Sequence, residues 1–222
     1  MRRRNTPGFT LLELLAVVAL GGLLLGAGLL GLRRSGAGTA REAALAQIAA
    51  RLAEARGLAL GRGEAVRLLV HADPAQPQRY LRYLALAVAE PGGWRVCDGG
   101  SVLPEGWVIL PAVAPGVAGP GAVRRVADDW SRPSGGMLRS TALRGEPMAG
   151  AGGEPLLGAS GWLVVHFSPG GGVFAGDIVV AQGRRESGMV PATVVCEAPD
   201  SVAGVSLSSY GVATFVRDRA AF

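Results

Sequence analysis

Residues 1–32 read MRRRNTPGFTLLELLAVVALGGLLLGAGLLGL, and this stretch decides how the chain is organised. From Phe9 to Leu32 the run is apolar apart from Glu13. As a helix with a rise of about 1.5 Å per residue, the run covers about 36 Å, enough to cross the roughly 30 Å hydrocarbon core of a bilayer. The arginines ahead of the run favour a cytoplasmic N-terminus. The sequence therefore predicts one membrane-spanning helix over residues 9–32.

Two features distinguish this stretch from a secretory signal peptide. Such a signal carries an apolar stretch of about 7 to 15 residues followed by a small-residue cleavage site, whereas here the run is longer and the small residue Gly8 precedes it. The second feature is Glu13, because an ionisable group within a membrane helix costs on the order of a few kcal/mol and usually has a specific partner. We therefore expect a cationic group to meet Glu13.

The segment from Gly8 to Glu13, GFTLLE, resembles the processing motif of type IV prepilins and type II secretion pseudopilins. In that family a membrane peptidase cuts after the glycine and N-methylates the new terminal phenylalanine. The resemblance implies that residues 1–8 are a leader peptide and that Phe9 becomes the methylated N-terminus. It also implies that Glu13 pairs with the terminal ammonium of a neighbouring subunit, which removes an unpaired charge from lipid.

Helical periodicity resumes after the span, with Thr39 as a candidate N-cap. Apolar residues recur at spacings of three and four, while charged residues lie elsewhere on the helical wheel; the apolar positions are Leu45, Ile48, Leu52, Ala55 and Ala59. This pattern predicts an amphipathic continuation of the helix over residues 33–61 that packs on a sheet. The segment from Leu52 to Leu60, LAEARGLAL, resembles the helix end that leads into the first strand in the minor pseudopilin H group.

Residues 62–222 read as a β-rich head. Short β-prone runs alternate with Gly and Pro, and the predicted strands are Ala65–His71, Tyr80–Ala89, Trp94–Cys97, Trp107–Leu110, Gly161–Phe167, Gly172–Phe174, Ile178–Ala181, Thr193–Glu197, Val205–Leu207 and Val212–Val216. Pro111–Gly121 and Ser131–Gly158 lack periodicity and are predicted to be long surface loops. One antiparallel sheet, or two small ones, packed on the long N-terminal helix gives an α+β fold, which is also what the pilin resemblance implies.

The inventory of reactive side chains argues against an enzyme. All 22 basic residues are arginines, so a P-loop, a Schiff base and a Ser-Lys dyad are excluded. His71 and His166 each fall in a strand-like run without a cluster of acidic or cysteine partners, so we expect structural roles and no metal site. The pair Asp128-Asp129 is more typical of a solvated turn than of a calcium site. No catalytic residue and no cofactor are expected.

The net charge of +5 includes the three arginines at positions 2–4, and without them 19 basic and 17 acidic residues leave +2. A general nucleic-acid surface is therefore not indicated. Some minor pilins related to the H group bind DNA through basic residues near the C-terminus, and the candidates for such a role here are Arg184, Arg185, Arg217 and Arg219. Ordinary surface arginines are the favoured interpretation.

Cys97 and Cys196 lack the paired spacing of zinc ligands. Both end strand-like runs in the part expected to lie in the periplasm, and no other cysteine competes for either. We therefore predict a single disulfide between them, with two buried thiols as the alternative.

The resemblance implies a structural minor pseudopilin of a type II secretion system, without enzymatic activity. Its expected location is the bacterial inner membrane, with one span, a cytoplasmic N-terminus and a periplasmic head. The expected partners are the prepilin peptidase, the inner membrane, and other pseudopilins or pilins that pack against the N-terminal helix; nucleic acid is not among them. The alternative is a minor pilin of a type IV pilus that binds DNA for uptake.

Overall fold

The computed structural model describes residues 38–111, 123–125, 130–133, 135–159, 161–186, 194–196 and 198–222, with the backbone alone described for 123–125. The chain divides into two compact units, Met1–Ala40 and Arg41–Phe222. Only residues 38–40 of the first unit are described, so the fold reported is that of the second. The predicted leader and span, residues 1–8 and 9–32, lie outside the described residues. Among the described residues, no helix has the length and apolar character needed to span a membrane.

The helix α1 covers residues 38–62, where the sequence predicts a helix over 33–61. Every residue of the predicted apolar stripe is fully buried: Leu45, Ile48, Leu52, Ala55 and Ala59. The helix ends at Gly63, which adopts a φ of +64° and donates its N–H to the carbonyl of Ala59 (3.0 Å). A left-handed glycine in this position satisfies one of the last helical carbonyls and stops the helix.

Twelve strands are present in the described residues: β1 Val66–His71, β2 Tyr83–Glu90, β3 Gly93–Val96, β4 Ser101–Val102, β5 Trp107–Ile109, β6 Val123–Arg125, β7 Arg144–Glu146, β8 Trp162–Phe167, β9 Gly176–Arg185, β10 Val194–Cys196, β11 Ala203–Leu207 and β12 Ala213–Val216. Short 3-10 helices occupy Leu156–Gly158, Pro199–Ser201 and Arg219–Ala221. The first sheet has the order β3-β2-β1-β8-β7, with β4 beside β2. The second has the order β12-β11-β9-β10-β6, with β5 beside β9. A helix followed by two mainly antiparallel sheets confirms the predicted α+β class.

Strand β1 is buried on both faces of the first sheet. Five of its six residues are buried, with Arg67 as the exception. One face carries Val66, Leu68 and Val70, and the other carries a cluster of Leu69, Tyr83, Ala85, Ala87, Met148, Leu156, Ala159, Trp162 and Val164. The residues between Met148 and Ala159 therefore cover the second face of this sheet.

The prediction of a surface loop over Ser131–Gly158 is wrong. This segment contains β7, and it buries five apolar side chains: Leu138, Ala142, Leu143, Met148 and Leu156. The expected strand Gly172–Phe174 has only an isolated bridge between Val173 and Phe167. Strand β9, by contrast, runs beyond the predicted Ile178–Ala181 at both ends, because its ladder continues along β11 and β10.

Polar contacts fix α1 to both sheets. The Nε of Arg51 donates to the hydroxyl of Ser101 in β4 (3.2 Å), and its guanidinium pairs with Asp98. Nearer the start of the helix, Glu42 accepts hydrogen bonds from Arg217, the residue after β12 (3.1 Å). The helix is therefore attached to strands of each sheet by separate ion pairs.

Candidate functional site

Two glycine turns meet at the C-terminal end of α1. The first, Ser168–Gly172, follows β8, and the second, Ser208–Val212, joins β11 to β12. They are bound to each other by a hydrogen bond from the N–H of Val173 to the carbonyl of Ser209 (3.0 Å).

The stem of Arg56 from α1 lies against both turns. A β-carbon on Gly211 would lie 2.9 Å from Cδ of Arg56 and 3.0 Å from the carbonyl oxygen of Gly171. Both glycines have a φ of +74°, a conformation that side chains rarely adopt. Glycine at these two positions therefore lets the turns and the helix approach each other closely.

Four apolar side chains around this junction face solvent, and we call them the turn patch: Leu60, Phe174, Tyr210 and Val212. Their exposed fractions are 51%, 71%, 77% and 53%. The sequence placed Phe174 and Val212 in strands and did not single out this surface. The sequence feature that could have predicted this surface is an aromatic residue at each glycine turn, Phe174 and Tyr210. Turns expose the large side chains that they carry or that flank them.

Arg56 is the charged residue beside the turn patch. Its guanidinium makes no hydrogen bond or ion pair with the described residues, and its Nε is buried without a partner. The neighbouring acid on the same helix, Glu54, is instead paired with Arg51 (2.9 Å). Arg56 therefore combines a packed stem with a cationic group that the described part of the head does not neutralise.

The four candidate DNA-binding arginines fall into two groups on the second sheet. Arg184 and Arg185 end β9 and pair in register with Val195 and Val194 of β10. The guanidinium of Arg185 donates to the carbonyl of Pro77 (3.1 Å). Arg217 and Arg219 instead follow β12, an end strand of the order that is separated from β9 by β11. The structure does not bring the two pairs together.

The second pair is engaged within the head. Arg217 forms the ion pair with Glu42, and this hydrogen bond lowers the pKa of the Glu42 carboxyl. Arg219 donates to the carbonyl of Ser131 (3.0 Å) and lies 3.6 Å from Asp200. These contacts are those of surface arginines that attach segments of the head to one another.

Both histidines lie within the first sheet. His71 is fully buried against Trp162, with ring centroids 5.2 Å apart and the rings nearly perpendicular. Neither ring nitrogen of His71 has a hydrogen-bond partner among the described residues, and burial lowers its pKa. His166 is half-buried with its ring edge toward Trp94 (6.5 Å), and burial likewise lowers its pKa. The described residues contain no group of three or more side chains able to hold a metal ion.

Arg67 connects β1 to β3, which the sequence analysis predicted, and to β7, which it did not. Its guanidinium stacks over the ring of Trp94 in β3 (4.0 Å) and pairs with Glu146 in β7 (2.7 Å). A stacked and paired arginine on a sheet face contributes packing as well as charge. These contacts hold β7 in place at the edge of the first sheet. The charged groups of Arg67 and Glu146 are directed at each other.

The predicted disulfide is not formed: Cys97 and Cys196 are both free thiols, and they lie in different sheets. Cys97 follows β3 at the edge of the first sheet and is half-buried, which raises the pKa of its thiol. Cys196 is buried at the end of β10 in the second sheet. Its Sγ lies 3.3 Å from the position that a β-carbon on Gly183 would occupy. The prediction was wrong because sequence position does not show which sheet a strand joins.

The processing residues Gly8, Phe9 and Glu13 lie outside the described residues, and their evidence is in the sequence itself. Residues 3–29 match the family model described as the prokaryotic N-terminal methylation motif. This match includes the glycine, the phenylalanine and the glutamate of the predicted motif, and it confirms the resemblance noted from the residues. The chain therefore carries the N-terminal methylation motif that is typical of type IV prepilins and pseudopilins.

One solved structure aligns with this chain over most of its length. It is described as the minor pseudopilin EpsH from the type 2 secretion system of Vibrio cholerae, and it shares 14% identity with this chain. The alignment covers 81% of this chain and 96% of that one, with a TM-score of 0.42. No curated protein matches the chain at a significant level.

Proposed function

We propose that the protein is a structural minor pseudopilin of a type II secretion system. The observation that carries the proposal is the methylation motif over residues 3–29, which includes most of the apolar run from Phe9 to Leu32. Proteins with this motif are made as prepilins, trimmed, and assembled through the N-terminal helix. The α+β head that follows supplies surfaces for contact with partners.

In this proposal residues 9–32 span the inner membrane, and the head lies in the periplasm. The prepilin peptidase cuts between Gly8 and Phe9 and methylates the new terminus. Glu13 then pairs with the terminal ammonium of a neighbouring subunit, which lowers the cost of its charge in lipid. In this proposal the protein binds and positions neighbouring subunits and catalyses no reaction.

The alternative, a minor pilin that takes up DNA, has less support. Its candidate residues form two separate pairs, and three of them already donate to acceptors within the head: Arg185, Arg217 and Arg219. A DNA surface needs several cations that are available to phosphates in one region.

Mass spectrometry of the protein from membranes tests the proposed processing. We expect a mature chain that begins at N-methylated Phe9, and residues 1–8 to be absent. The matched control is a cell without prepilin peptidase, in which the chain should retain Met1. A chain that starts at Met1 in cells with active peptidase contradicts the proposal.

A further inference from the structure

We propose that the turn patch and Arg56 form a docking surface for a partner protein that presents a carboxylate among apolar side chains. The location of this surface in the periplasm rests on the proposed function; its chemistry rests on the head alone. Four large apolar side chains converge on one junction of two turns and a helix end, each at least half exposed. Clustered exposed apolar residues on a folded head mark interaction surfaces more often than scattered ones do.

Backbone hydrogen bonds fix the two turns of this surface in the absence of a partner. The two turns are joined by the Val173–Ser209 hydrogen bond, and each is closed internally, by Gly171 to Ser168 (2.8 Å) and by Gly211 to Ser208 (2.9 Å). The backbone of Tyr210 lies between Ser209 and Gly211, which make two of these bonds. Little backbone freedom is therefore lost on docking, and tyrosine and arginine side chains are common anchors of protein interfaces.

The positive charge of Arg56 indicates which chemical group the partner presents to this surface. Arg56 is fixed by its stem at Gly211, and its guanidinium lacks a counter-charge among the described residues. A partner that covers the turn patch removes water from this group, which is unfavourable unless a carboxylate pairs with it. The same residue disfavours a symmetric dimer of this surface, since a two-fold interface would bring two Arg56 guanidinium groups toward each other. The occupant is therefore a different protein with an acidic group in an apolar setting.

Site-specific photo-crosslinking of the full-length protein in its native membranes tests the proposal. A photoreactive phenylalanine analogue replaces Tyr210, and the matched control carries it at Met137, which is 50% exposed and does not belong to the turn patch. We expect position 210 to give one crosslinked partner, with Asp or Glu beside apolar residues at the crosslinked site, and position 137 not to give it. Arg56→Glu should lower the yield at least about tenfold, and reversal of the partner's acidic residue to Arg should restore it.

Four outcomes would overturn the proposal: equal yields from positions 210 and 137, a yield unaffected by Arg56→Glu, crosslinks only to a second copy of this chain, or crosslinks only to lipid. Arg56→Gln keeps the Cβ and Cγ methylenes of the stem and removes the charge, and an intermediate loss of yield is expected for it. Protease resistance of the head in membranes shows that each variant is folded. Because processing at Phe9 is measured separately in the same sample, a correctly trimmed protein without the crosslink counts against this inference and leaves the proposed function intact.

Discussion

Arg51 of α1 forms an ion pair with Asp98, and the other carboxylate oxygen of Asp98 accepts a hydrogen bond from the backbone N–H of Leu86 in β2 (3.2 Å). The two charged side chains are only 16% and 21% exposed. One carboxylate therefore binds both a cation of the helix and the backbone of the first sheet. Partial burial and two partners make this pair more stabilising than an ordinary surface ion pair.

Replacement of Asp98 should weaken the attachment of α1 to the first sheet. We expect Asp98→Ala to lower the free energy of unfolding by about 1–3 kcal/mol, because it leaves the backbone N–H of Leu86 without its acceptor and removes one of the partners of the partly buried Arg51 guanidinium. The matched control is Glu90→Ala, which breaks the exposed pair with Arg95 and should cost about 0–1 kcal/mol. Denaturant unfolding of a head fragment that starts at Thr39 measures both. Equal losses would show that Asp98 acts only as a surface charge.

Gly93 lies so close to the backbone of Gly150 that there is no space for a side chain. A β-carbon there would lie 2.4 Å from the carbonyl carbon and oxygen of Gly150, and the next residue, Trp94, donates its N–H to Ala149 (3.0 Å). We expect Gly93→Ala to cost about 1–3 kcal/mol, because the segment around Gly150 must move away from β3. Gly99→Ala is the matched control, since nothing lies within 4 Å of its β-carbon position. The same unfolding measurement compares the two variants, and a neutral Gly93→Ala would contradict the close approach.

The contrast between α1 and the 131–158 segment explains what the sequence could predict. The helix stripe was predictable because apolar spacing and burial follow the same period, and strands β1 and β8 were predictable because they are short runs of mainly apolar, β-prone residues. Strand β7, Arg-Gly-Glu, carries no such pattern. Its place depends on pairing with β8 and on Arg67 and Glu146, which are 79 positions apart in the chain. The turn patch likewise depends on two distant turns that meet.

The buried imidazole of His71 predicts a dependence of stability on pH. Burial lowers its pKa below the ordinary value of 6.5, with the Asp73 carboxylate opposing this shift and Arg79 reinforcing it. Above pH 6.5 the ring is neutral in the folded and unfolded chains, so it imposes no penalty. As the pH falls below 6.5, the unfolded chain binds a proton that the folded chain does not, and the free energy of unfolding decreases until the pH passes the lowered pKa.

The variant His71→Phe keeps an aromatic ring against Trp162 and removes the titration. We expect its stability to fall less than that of the wild type between pH 7.5 and pH 5, as measured by denaturant unfolding at each pH. His166→Gln is the control, because that ring is only half-buried and should account for the smaller part of the dependence. An unchanged pH profile in His71→Phe would show that another group is responsible.

Glu13 provides the prediction that connects the sequence motif to assembly. The proposed ion pair with the terminal ammonium of a neighbouring subunit relieves a charge that costs on the order of a few kcal/mol within a membrane helix. Glu13→Ala removes this driving force, so we expect incorporation into filaments to fall at least about tenfold while trimming before Phe9 continues. Leu23→Ala, in the same apolar run, is the matched control and should incorporate normally. The ratio of filament-bound to membrane-bound protein gives the measurement, and equal ratios for Glu13→Ala and wild type would exclude the ion pair as a determinant of assembly.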